Sequence, residues 1–183
     1  YTHQLYKRIS DLPVSWDQVS ESCIFLQKKY LGILEQSSPL NMQCTFVGIF
    51  EEERLIATAL IQELDLALLT SFGERDSFFL TQLRNFLFRQ FASKLVIVGN
   101  NMLSGQNAYA CLPTINQIKV LEQLREITRF WPKKTHLSLF KDFNEEQVKP
   151  FQTSSFENDF PFSSQPNMVV EIRPTWKNEG DYV

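Results

Sequence analysis

The side chains best suited to meet a ligand are four carboxamides in one short stretch, Asn100, Asn101, Gln106 and Asn107, set within Gly99-Asn-Asn-Met-Leu-Ser-Gly-Gln-Asn107. Carboxamides donate and accept hydrogen bonds without carrying charge. They therefore suit amide-, sugar- or peptide-like ligands and not proton transfer at neutral pH. The same amides could instead tie down a tight loop, with Gly99 and Gly105 permitting its turns, and both readings stand open. Upstream, Glu74, Arg75 and Asp76 offer a general base or an ion-paired clamp, or are solvated turn charges. Lys141 and Asp142 follow a strand-like run and could reach a ligand at the strand's carboxyl end, or form an exposed pair there. No complete catalytic motif is spelled out.

Other reactive types are scattered. Cys23, Cys44 and Cys111 are odd in number and far apart, with no C-x-x-C pair, so reduced and buried thiols are expected. His3 and His136 lack a neighbouring carboxylate or thiol at ligand spacing, and no metal is expected. The 16 Phe and three Trp mostly fall at helix or strand periods suited to a core. Phe156, Phe160 and Phe162 lie instead in a Ser-rich connector.

The elements that must position these residues follow from periodicity. Gln4–Ile9 alternates as a short strand. Ser15 with Gln18 fits a capping box, and Ile24–Gln36 carries a helical apolar face. Cys44–Phe50 and Leu55–Gln62 are β-rich runs joined by Glu51-Glu-Glu-Arg54, which predicts a hairpin. Leu64–Phe72 suits a third antiparallel strand or a helix. Ser77 can cap a helix over Phe78–Phe91, with Phe79, Leu83, Phe86, Leu87 and Phe91 on its apolar stripe. Leu95–Val98 is uniformly apolar, as in strands covered on both faces. Pro113-Thr-Ile-Asn-Gln117 supplies a second capping box, followed by a helix that Pro132 stops. Thr135–Phe140 is a strand, Asn144–Lys149 a helical turn, and Asn167–Ile172 a late strand.

A chain of 183 residues, 43% hydrophobic, is long enough for one core and short for several domains. A formal net charge of -3 supplies no basic field to attract phosphate backbones, which argues against a nucleic-acid partner. No apolar run approaches the roughly 20 residues that span a bilayer, and the start lacks a signal-like apolar segment, so a cytoplasmic protein with no membrane span is expected. The fold class read from these elements is α/β (α+β), with a mixed, largely antiparallel sheet flanked by helices.

That order of elements resembles the GNAT acyltransferase fold, in which an opening between the fourth and fifth strands receives acyl-CoA. Those strands would be about Leu66–Phe72 and Leu95–Asn100. Phe25-Leu-Gln-Lys-Lys-Tyr-Leu31, Ser71-Phe-Gly-Glu-Arg-Asp76, the amide-rich stretch, Lys141-Asp-Phe143 and Gln165-Pro-Asn-Met168 are together similar to the N-terminal half of bacterial proteins of the peptidoglycan biosynthesis/recognition group, relatives of the Fem-type aminoacyltransferases. The resemblance implies a GNAT-like domain over residues 1–174, with 175–183 opening a linker to a second GNAT-like half. It implies an N-acyltransferase in the full-length protein, passing an acyl or aminoacyl group to a small-molecule or peptide-like amine, with this part inactive alone. The turn at Thr70–Asp76 departs from the family's glycine-rich pyrophosphate turn, having one glycine and two acids that oppose an anion. The expectation is thus no cofactor in this half, acyl-CoA or an aminoacyl donor being left to the full-length protein, and a substrate-binding role for Asn100, Asn101, Gln106, Asn107, Glu74 and Arg75. The alternative is a noncatalytic ligand-recognition or protein-interaction module on the same fold.

Overall fold

The computed structural model describes residues 1–68, 78–105, 108–143, 145–148, 151, 156–162 and 174–177. Its centre is a mixed, mostly antiparallel sheet in the order β1-β2-β3-β4-β6, with β5 also paired to β3. The chain opens with β1 (Thr2–Tyr6), then α1 (Trp16–Val19) and α2 (Lys28–Ser37). The hairpin β2 (Met42–Glu51) and β3 (Arg54–Asp65) follows, with Glu51 opposite Arg54 and Glu52 in the left-handed region at φ 56°. Next come α3 (Phe78–Phe91), β4 (Lys94–Val98), β5 (Tyr109–Cys111), α4 (Gln117–Arg129), β6 (Leu137–Phe140) and α5 (Glu145–Val148). Among the described residues, no helix is long and apolar enough to cross a membrane.

The sheet is covered on both sides, which is why β2 and β3 read as nearly continuous apolar runs. On one face, Trp16, Leu26, Leu31 and Leu34 pack against Phe46, Leu60 and Leu64. The fully buried Trp16 donates its Nε1 proton to the Leu26 carbonyl at 2.8 Å, so its indole brings no unmet polar group into the core. On the other face, Val120, Leu124, Ile127 and Trp131 of α4 and its exit lie on Val47, Ile56, Ile61, Val96 and Val98. This helix links β4 to β6, which run parallel from Leu95 opposite Leu137 to Val98 opposite Phe140. A parallel pair requires such a crossover.

Several expectations are corrected. Leu64 and Asp65 belong to β3, and Leu66–Leu68 forms a 3-10 turn in place of a further strand, because the Leu66 amide bonds back to the Ser93 carbonyl. Residues 69–72, the rest of the segment expected beside the opening, lie outside the described residues, and β4 is paired with β3 from Asp65–Lys94 to Ile61–Val98. Ser15 makes no side-chain cap, so the first capping box does not form. In place of the second box, a simple cap forms two residues after Thr114, with Asn116 accepting from the Ile118 amide at 2.9 Å. The helix expected over Ile24–Gln36 is a 3-10 turn, Ile24–Leu26, and then α2, whose first amide at Lys28 is taken by the Asp17 carboxylate. On α3, Phe86, Leu87 and Phe91 are exposed and not turned into the core. The late strand over Asn167–Ile172 and the turn at Thr70–Asp76 lie outside the described residues.

Candidate functional site

β4 and β6 end side by side, and the two chains then part. After Val98 the chain makes an excursion and returns as β5, while β6 runs on into Lys141 and Asp142. The excursion is pinched closed on one residue of β3: the Gly99 amide donates to the Leu60 carbonyl at 3.2 Å, and the Leu60 amide donates to the Ala108 carbonyl at 2.9 Å. β4 and β5 thus act as one interrupted partner of β3, with Tyr109 opposite Ala59. The loop stands out from the carboxyl ends of two adjacent parallel strands, a common place for ligands in α/β sheets.

The four expected carboxamides divide. Asn100 is buried and spends its side chain inside the protein: Nδ2 donates to the Tyr30 hydroxyl at 3.0 Å and Oδ1 accepts from the Met102 amide at 3.0 Å. It shapes the loop as an Asx turn. Asn101 is exposed, and its backbone amide is held by Gln62 Oε1 at 2.6 Å. Gln106, Asn107, Glu74 and Arg75 lie outside the described residues, as does Asp76.

Tyr30 and Gln62 are the supporting residues that sequence reasoning missed. Gln62 is fully buried on the face shared with Leu60 and Leu64, and its Nε2 donates to Cys44 Sγ at 3.7 Å. Cys44 lies 3.7 Å from the Ser38 hydroxyl, which donates to the Leu34 carbonyl near the end of α2 at 2.6 Å. A lone amide at an inward position of an apolar strand was the available signal, because such a group needs partners. Burial raises the pKa of the Cys44 thiol, against the Ser38 and Gln62 hydrogen bonds and the Lys7 charge, which favours the neutral thiol as a link between them. The three cysteines are free and half-buried, less enclosed than expected.

Lys141 and Asp142 stand against this loop. The Lys141 ammonium donates to the Leu103 carbonyl at 2.6 Å and to Asp142 Oδ2, bridging the β6 exit to the amide loop. Asp142 adopts φ 64°, uncommon for a residue with a Cβ, and this turns the chain immediately beyond the strand. Gly99 is required opposite them, since a Cβ there would stand 2.7 Å from Lys141 Cβ. An ammonium carries three donors and a carboxylate two acceptor oxygens. Two of the donors are accounted for, and among the described residues the third donor and Asp142 Oδ1 make no further hydrogen bond. Such a set can hold an ammonium or amine through the carboxylate and an amide carbonyl through Lys141 or Asn101. Among the described residues, no three His, Cys, Asp or Glu side chains gather as a metal site would need.

A scan against protein-family models gives no match, and searches of curated proteins and of solved structures find none either.

Proposed function

We propose that this chain binds the amine acceptor of an N-acyl transfer reaction, as the GNAT-like, acceptor-holding part of an acyl- or aminoacyltransferase. The observation that carries this reading is the Lys141–Asp142 pair standing against the loop of Asn101 at the shared carboxyl ends of β4 and β6. A carboxylate kept next to a lysine, beside a neutral amide, suits a peptide-like molecule with a free amino group. The enzyme's task in such a reaction is mainly to place an amine near an activated carbonyl, and a rigid loop anchored through Asn100 and Gln62 serves that task. The donor would be bound elsewhere in the transferase.

The test is an amide-shift titration of the 15N-labelled protein with L-alanyl-L-alaninamide and with its N-acetylated form. The free amine is expected to shift Asn101, Leu103 and Asp142 saturably, and the acetylated form to fail. Asp142→Asn should weaken the free amine at least fivefold. Equal behaviour of the two peptides, or no shift with either, would remove the acceptor role. Calorimetry with acetyl-CoA is expected to be silent; heat that disappears in Arg75→Ala would instead make the chain a small acetyltransferase complete in itself.

A further inference from the structure

At the opposite ends of β4 and β6, about 13 Å from the amide loop by the rise of β4, lies an open hollow of about 230 Å³. One wall is aliphatic, formed by Leu40, Leu64 and Leu68, and the rim carries Lys94, Lys133 and Lys134. Leu40 and Leu68 are strongly exposed, an unfavourable state for side chains that border a concave surface. The hollow also holds Glu63 and Asp65. Glu63 is already held by cations, and Asp65 is held through one oxygen by a backbone amide. Glu63 accepts from Lys133 at 2.8 Å and from Lys7 at 3.3 Å, and Asp65 Oδ1 accepts from the Ala67 amide at 2.9 Å. Lys133 is further held by Gln43 Oε1 at 2.7 Å. Lys94 and Lys134 are exposed, and their ammonium groups make no ion pair among the described residues.

We propose that this hollow is a second binding site, for a small amphipathic monoanion such as an alkyl carboxylate, with Lys94 and Lys134 taking the carboxylate and the leucine wall taking the chain. Three ammonium groups face two carboxylates within the hollow, leaving one positive charge to be matched. This occurs on a chain whose net charge is -3, so the positive surplus is local to the site. The volume equals roughly seven or eight waters at liquid density, which limits the ligand to a short chain. Lysine is a point-charge donor with a flexible stem, so it tolerates a carboxylate in several orientations while the stem adds to the apolar wall. Aliphatic surface beside the charge selects against a bare inorganic anion.

The experiment is an amide-shift titration of the whole chain with sodium hexanoate, alongside hexan-1-ol and inorganic phosphate. Hexanoate is expected to shift Leu64, Lys94, Leu95 and Lys134 saturably, with both controls at least fivefold weaker. Lys94→Gln/Lys134→Gln changes only exposed side chains and should weaken hexanoate at least fivefold. Leu68→Gln keeps the lysines and should weaken hexanoate but not phosphate. The proposal is overturned if hexanoate causes no saturable shift, if the double variant binds it equally, or if phosphate binds as well as hexanoate. The peptide amides offered to the Lys141–Asp142 pair and these probes meet different residues, so the two sites fail or succeed separately.

Discussion

Asn100 and Asn101 are neighbours of the same type with opposite duties, and the difference is burial. Asn100 is 1% exposed and has both ends of its amide paired, whereas Asn101 presents its side chain outward. Truncating the buried Asn100 removes the partner that the Met102 amide and the half-buried Tyr30 hydroxyl share, a loss of ~1–3 kcal/mol. Asn100→Ala is therefore expected to lower unfolding stability by about 2 kcal/mol in urea, and Asn101→Ala to stay within about 0.5 kcal/mol, as surface changes usually do. Equal losses in the two variants would contradict the assignment of Asn100 as the internal anchor. Carboxamides in one stretch marked the loop correctly from sequence. Which of them turns inward depends on Tyr30, 70 residues away, and no local pattern carries that information.

The amide loop and the β6 exit meet because two elements approach closely where they end. Gly99 closes β4 and Lys141 follows β6, and the gap between them has no room for one extra carbon. Gly99→Ala must push the β6 exit aside, loosening the Lys141 bond to the Leu103 carbonyl. Such overpacking costs about 1–3 kcal/mol. The expected reading is a fall in Tm of ~4–8 °C for a loss near 2 kcal/mol in a chain of this size, with the Leu103 and Asp142 amide resonances displaced. An unchanged Tm would mean that the loop and β6 are not in contact. At this scale the hairpin, β4, α3 and α4 were legible as elements, since each carries several residues of clear period or a charged turn. β5 was not, because three residues cannot display a period. α2 was blurred with the turn before it, because the Asp17 carboxylate that starts it comes from a separate element.

Across the whole molecule, Glu63 links parts that are distant in sequence. It lies on β3 and receives Lys7, just past β1, and Lys133, just past α4. Burial by itself would raise its pKa; the Lys133 hydrogen bond, the charges of Lys7 and Lys133 and the Lys7 hydrogen bond together hold it below the ordinary carboxylate value. A lowered folded-state pKa gives stability that is present above the unfolded carboxylate's pKa and is lost as pH falls through the folded one. Both lysines are more than half exposed, so solvent screens the pair and the contribution is about 1 kcal/mol at pH 7. Glu63→Gln should be that much less stable at pH 7, and the difference should narrow as pH falls from the ordinary carboxylate range through the lowered folded-state pKa, when ΔG is followed by urea titration. A gap that stays constant down to pH 3 would show that the loss is packing and not charge. The amino-acid sequence alone determined what depends on residues three or four apart: an α+β class, the hairpin, the long helices and a polar loop after an apolar strand. Tertiary structure decided which strands lie together, that Leu66–Leu68 turns away, and that Lys141 meets Leu103 across 38 residues. The physical reason is that periodicity reports only which side of an element is apolar, while partner choice is settled by packing and hydrogen-bond closure between segments far apart in the chain.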